Sequence, residues 1–243
     1  MEMFMVGGAV RDKLLGVKSK DIDFSVVINE GEALFAQATG QTPFQFMVNN
    51  LIRGGFKIFL ESPEFLTARA QFPKDHEDAG LTADFVLARK ESDYTDNRRP
   101  DRVEPGTLMD DLARRDFTVN AIAKSFDGEL IDPFGGAADL EMGLLRAVGD
   151  PEKRFEEDAL RILRGMRFAV TKGFTLEQNT DDAMWRLRKT VAGVSPERVR
   201  EELTKMFNHS PEETINMLDS FDMFGIIFGM GINFQPTMKE RIR

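Results

Sequence analysis

The chain has 243 residues, 42% hydrophobic and 30% charged. That balance excludes a disordered or collagen-like polypeptide and leaves room for one large domain or two small ones with proper cores. With no cysteine and only two histidines, His76 and His209, the chain has no disulfide, no thiolate zinc site and no cysteine nucleophile. The formal net charge of −9 excludes a protein that coats nucleic acid over its whole surface, so any nucleic-acid role must rest on a local patch.

The first residues have no basic stretch, and no apolar run approaches the roughly 18 residues of a membrane span, so neither a secretory signal nor a transmembrane helix is expected. Phe4-Met5-Val6 predicts a short strand. It runs through Gly7-Gly8 into a helix, Ala9 to Leu15, closed by Gly16. Residues 21–27 alternate and then turn fully apolar, which predicts a strand buried on both faces at its end. Glu30 to Ala38 predicts a helix; Phe56 to Leu60 and Ala83 to Arg89 predict strands; Ser92 to Pro105, polar and proline-containing, predicts a loop. A helix from Leu108 to Arg115 is expected to lead on through Ala123. Glu129 to Asp132 predicts a short extended segment, and beyond it only helices follow: Ala138 to Leu145, Pro151 to Val170, Thr180 to Lys189, Pro196 to Phe207 and Pro211 to Phe221. Proline in the first turn of three of these fits a position whose N–H is unpaired in any case. The expected division is residues 1–140 and 141–243.

Several residues point to chemistry. Two glycines between a strand and a helix, Gly7 and Gly8, allow a phosphate to approach the backbone, with Arg11 one turn on. Asp21 and Asp23, at i and i+2 of one strand, share a face. Their mutual repulsion suits a hard divalent cation, Mg²⁺ or Mn²⁺. Asp84 opens another apolar strand, and three strand carboxylates beside a phosphate cradle suit two-metal phosphoryl transfer. Arg114-Arg115-Asp116 sets two guanidinium groups beside an acid, which reads either as a salt-bridged helix surface or as a phosphate and ribose contact. Arg161, Arg164 and Arg167 recur every three residues along one helix, with Glu157 and Asp158 one turn earlier. They read either as surface salt bridges worth a few tenths of a kcal/mol each or as a rigidly held Asp/Arg pair facing the Watson–Crick edge of a nucleotide. Residues 146–205 carry a net charge of +2 while the rest of the chain is strongly acidic, which places any phosphate-rich partner here.

In this order, Gly7-Gly8-Ala9-Val10-Arg11-Asp12, Asp21-Ile22-Asp23, Arg114-Arg115-Asp116-Phe117-Thr118-Val119-Asn120-Ala121 and Glu157-Asp158-Ala159-Leu160-Arg161 resemble the motifs of class II tRNA nucleotidyltransferases. These are the CCA-adding enzymes and their bacterial poly(A) polymerase relatives, in the DNA polymerase β superfamily. The resemblance runs from Val6 to about Phe207. It implies an α+β chain: a nucleotidyltransferase head, a mixed β-sheet with flanking helices, followed by an all-helical neck and short body. Asp21, Asp23 and Asp84 would hold the metal. Gly7, Gly8 and Arg11 would hold the triphosphate. Arg115 and Asp116 would lie near sugar and phosphates. Asp158 and Arg161 would select CTP or ATP without a template, and Arg164 and Arg167 would make further nucleotide contacts. The loop from Ser92 to Pro105 falls where the family has a flexible element.

The implied activity is addition or repair of the 3′-terminal CCA of tRNA from CTP and ATP by a cytoplasmic enzyme. A poly(A) polymerase, a partial CC- or A-adding enzyme, and a non-enzymatic RNA- or nucleotide-binding module are the alternatives. The chain is shorter than most bacterial members and acidic, so weak, salt-sensitive RNA binding, a homodimer, or contact confined to the acceptor end is expected.

Overall fold

The computed structural model describes residues 1–17, 19, 22–76, 78–92 and 102–229. The chain divides into two compact units, Met1–Asp150 and Pro151–Arg243.

The first unit is built on a mixed sheet. Its strands are β1 (Glu2–Val6), β2 (Ile22–Val27), β3 (Lys57–Ser62), β4 (Thr67–Gln71), β5 (Thr82–Leu87), β8 (Ala123–Lys124) and β9 (Leu130–Ile131), in the order β3-β4-β5-β2-β1-β8-β9. Between β5 and β8 the chain makes a hairpin of β6 (Arg89–Ser92) and β7 (Arg102–Pro105). β2 and β5 run parallel; the other pairs in the sheet are antiparallel. The helices are α1 (Gly8–Leu14), α2 (Glu30–Ala38), α3 (Pro43–Arg53), α4 (Leu108–Ala113) and α5 (Gly136–Glu141).

Alternation along the strands sends two sets of side chains to two faces. Phe24 and Phe85, partners in register, stack at 5.1 Å and 7°. They join Phe44, Met47 and Leu51 of α3 in one core, where each large apolar side chain contributes about 1.5–3 kcal/mol. The opposite face carries Asp23 beside Asp84. There, toward β1, a smaller core of Val6, Leu112 and Ala123 packs with Phe4, Leu108 and Phe134.

The second unit is helical apart from one two-residue strand, Thr175–Leu176: α6 (Pro151–Glu157), α7 (Leu160–Lys172), α8 (Gln178–Leu187), α9 (Pro196–His209), α10 (Pro211–Ser220) and α11 (Phe224–Gly229). α7 lies along α9. Ile162, Leu163 and Met166 of the first and Val199, Leu203 and Met206 of the second are all fully buried. Among the described residues, no helix is long and apolar enough to cross a membrane.

The α+β architecture matches the sequence reading, with local differences, among them the unexpected strand β4 and two-residue strands at Leu144–Leu145 and Thr175–Leu176. α3 was not expected; Thr42 and Gln45 close a capping box at its start, and Pro43 fills its first turn. The ends of the expected 92–105 loop pair as the β6–β7 hairpin. The helix expected through Ala123 stops at Ala113, and Thr118–Asn120 is a single 3₁₀ turn. The helix expected from Ala138 to Leu145 spans only Gly136–Glu141. The expected helix Pro151 to Val170 is two helices broken at Asp158 and Ala159, where the Asp158 carboxylate takes the Leu160 N–H (3.1 Å) and so satisfies a donor at the start of α7.

Candidate active site

Gly7 ends β1 and caps α1 at φ 70°, a region that favours glycine. A Cβ there would come within 2.6 Å of Nη1 of Arg115, so the guanidinium packs directly against the turn. Arg115 therefore lies against the turn that the sequence singles out as a phosphate cradle. Nη1 of Arg115 donates to the Asn120 carbonyl (3.3 Å) and Nη2 to Asp111 (3.1 Å). Its Nε is buried without a hydrogen-bond partner, and such an atom in a native fold calls for an explanation.

Arg11 is folded inward. It is buried, with Nε and Nη2 on Asp12 (3.0 and 2.8 Å) and Nη1 on Oδ1 of Asn120 (2.6 Å). Its guanidinium stays over Gly8, 3.4 Å from where a Cβ would be. Asn120 in turn donates to Asp116 (3.0 Å), which also accepts from the Phe117 N–H (2.8 Å). Asp116 is thus tied by a buried chain through Asn120 to Arg11. Gly136 secures this segment from behind: any Cβ there would meet the Thr118 carbonyl at 2.1 Å.

Asp111 is the side chain that sequence reasoning missed. It is 0% exposed. Its Oδ1 accepts from Nε and Nη2 of Arg114 (3.0 and 2.5 Å), its Oδ2 from Arg115. Burial pushes its carboxyl up, but the two guanidinium groups more than offset this and hold it below the ordinary value. The i,i+3 and i,i+4 spacing of Asp111 to Arg114 and Arg115 was the available signal.

Of the three expected metal ligands, Asp21 lies outside the described residues. Asp23 and Asp84 are partners in register on the parallel strands β2 and β5 and so share a face. Val6, immediately before the Gly7 turn, pairs with Asp23, so carboxylate and turn lie at one end of the sheet. On β4, Arg69 pairs in register with Asp84 and binds it in bidentate fashion, 2.7 and 2.6 Å. Among the described residues no group of three His, Cys, Asp or Glu side chains forms a metal cluster.

In the second unit, Asp158 binds Arg198 of α9 (2.8 and 3.3 Å). Arg161 binds Glu157 (2.6 Å) and the Arg154 carbonyl (2.9 Å). Arg167 stacks over Phe168 (4.2 Å) and donates to Glu202; Arg164 lies 5.9 Å from the same ring. Glu202 is buried, a state that raises its carboxyl, yet Arg167, Lys205 and Arg164 together hold it below the ordinary 4.5. Asp158 thus sits in the break between two helices rather than on a rigid one.

Residues 3–146 match the family described as "Poly A polymerase head domain", and residues 173–231 match "Probable RNA and SrmB- binding site of polymerase A". The chain belongs to the poly(A) polymerase head-domain family, which takes in the class II CCA-adding enzymes. It is 39% identical over 208 residues to the CCA-adding enzyme of Leuconostoc mesenteroides (84% of this chain, 45% of the relative). With that of Lactiplantibacillus plantarum it shares 39% over 206 residues, again 84% and 45%. Among solved structures it resembles the Bacillus stearothermophilus CCA-adding enzyme in complex with CTP (TM-score 0.72, 29% identity, 94% of this chain and 50% of that one). It also resembles the Thermotoga maritima CCA-adding enzyme complexed with tRNA-CCA (TM-score 0.72, 28% identity, 97% and 50%). The chain spans about half the length of the curated relatives it matches.

Proposed function

We propose that this chain is a template-independent RNA nucleotidyltransferase that adds or repairs the 3′-terminal CCA of tRNA in the cytoplasm, using CTP and ATP. The observation that carries the reading is the register of β1, β2 and β5. It sets Asp23 and Asp84 side by side at the end of the sheet where the Gly7–Gly8 turn meets Arg115. The relatives named CCA-adding enzymes, and the solved ones with CTP and with tRNA, support it.

The donor set fits a divalent cation. The described ligands, Asp23 and Asp84, offer carboxylate oxygens, the choice of Mg²⁺ and Mn²⁺, and Asp84 already pairs with a cationic side chain, Arg69. Asp21, Asp23 and Asp84 would hold it, and when bound it would lower the cost of gathering charge between the attacking hydroxyl and the phosphates. The protein's own part is to position. Gly7 and Gly8 let the triphosphate approach the backbone, and Arg11 and Arg115 meet its charge. Asp116, fixed through Asn120, takes the ribose hydroxyl. The tRNA 3′ oxygen attacks the α-phosphorus, a bond forms there, and the α–β bridging bond breaks to release pyrophosphate. Asp158 and Arg161 select the base, with Arg164 and Arg167 making further nucleotide contacts.

The test is extension of a tRNA lacking its 3′ CCA with CTP, ATP or both, followed by sequencing of the product. CCA from the mixture, with Mg²⁺-dependent pyrophosphate release, supports the reading. A homopolymer from ATP alone would make it a poly(A) polymerase; no pyrophosphate release would make it a binding module. Arg161→Ala is expected to relax the choice between CTP and ATP, and an unchanged preference removes the base-selecting role.

A further inference from the structure

We propose that Asp111 is a positioning residue for nucleotide binding: it acts through Arg115, holding that guanidinium against the Gly7–Gly8 turn. The inference rests on the reading of Arg115 as a triphosphate and sugar contact.

Three observations carry it. First, the carboxylate is wholly inaccessible and is shared, one oxygen to Arg114 and the other to Arg115. Burying an ion is costly, and a pair kept only for stability is replaceable by apolar packing. One carboxylate that aims two successive arginines is a different device. Second, the aim is tight. Arg115 reaches Asp111 with Nη2 and the Asn120 carbonyl with Nη1, which together fix the plane of the group. Those contacts use two of its five N–H donors, and Nε is buried without a partner. Third, the group so held packs against the Gly7 turn, its Nη1 2.6 Å from where a Cβ at that position would stand. The capping box of Thr107 and Asp110 sets the start of α4 and so fixes where Asp111 enters the core. Without Asp111, Arg115 keeps its charge but loses the anchor that defines its direction.

The experiment measures CTP binding directly, by equilibrium dialysis well below the melting temperature, alongside steady-state kinetics on tRNA lacking CCA. Asp111→Asn, close in shape and neutral, is expected to weaken CTP binding about 10-fold or more and to raise the KM for CTP while kcat changes much less. In an Arg115→Ala background the same substitution should add little further loss. Should Asp111→Asn fail to fold, Asp111→Asn with Arg114→Gln removes one anion and one cation together, and the same weakening is expected. Wild-type CTP affinity in a folded Asp111 variant overturns the inference, because a merely structural role moves the melting temperature and not the binding. Undiminished affinity in Arg115→Ala alone would instead overturn the underlying reading of Arg115.

Discussion

The two units organise arginine differently. In the first, Asp111, Arg114, Arg115, Asp116 and Asn120 fall within ten residues, and their carboxylates and amide are buried. In the second, the pairs Asp158–Arg198 and Glu202–Arg167 join residues 40 and 35 positions apart and tie α7 and the turn before it to α9. The first network is local in sequence apart from one bond, Arg11 to Asn120, and mainly orients its own members. A long-range one also locks elements together, so breaking it costs stability as well as orientation.

The largest effect is expected at the strand carboxylates of the first unit. Asp23→Asn is expected to cut pyrophosphate release about 10³-fold, the scale of losing a group that meets developing charge, while circular dichroism shows the fold retained. A variant with full turnover would remove Asp23 from the chemistry and leave the first unit as a binding surface.

Next comes Glu202 in the second unit. Its carboxyl lies below its ordinary 4.5 in the folded state, so the native protein holds fewer protons there than the unfolded chain. That contribution is complete above the ordinary value and fades as pH falls through the lower folded one. Glu202→Gln should cost about 2 kcal/mol near neutral pH by leaving Arg167 without its anion. It should also lose less further stability than wild type on going from about pH 6 to about pH 3. Thermal melts at both values check this; parallel pH profiles would contradict it.

Arg198→Ala sharpens the contrast at a smaller scale. Both partners of the Asp158 pair are partly exposed, 26% and 17%, so the expected cost is about 1 kcal/mol, or some 2–4 °C in melting temperature. The informative result is functional. If α9 orients Asp158, the CTP/ATP preference shifts in this variant, whereas Arg114→Ala in the first unit weakens both nucleotides alike.

These differences also explain what the sequence could disclose. The strand carrying Asp23 was legible because alternation marks its face; the Gly7–Gly8 turn was a weak signal alone, since a glycine pair at a strand end is more often structural, and gained weight from the carboxylates downstream. Asp111 was in reach: its spacing to both arginines is a helical one, but an acid followed by basic residues reads equally well as surface. Asn120 and Arg69 were not. Asn120 matters through Arg11, 109 residues away, and Arg69 through a register between strands that no local pattern specifies. The break at Asp158 was hidden because Pro151 to Val170 keeps helical spacing across it. α3 was missed because the stretch between β2 and β3 carries no functional motif, although Thr42-Pro43 followed by Gln45 is a start signal.

The smallest effect bounds the comparison. Arg186 binds Glu152 at 3.2 Å, and the two side chains are 61% and 49% exposed. It links α8 to α6, elements far apart in sequence, just as Arg198 links α9 to Asp158. If range along the chain alone decided the cost, the two arginines would matter equally. Solvent screening and the entropy of fixing two long side chains predict otherwise: Arg186→Ala should change stability by less than about 0.5 kcal/mol, and about 0.5 M NaCl should erase even that. A loss matching that of Arg198→Ala, measured by urea titration of both variants, would show that it is the joining of helices, and not burial of the charge, that gives the second unit's ion pairs their weight.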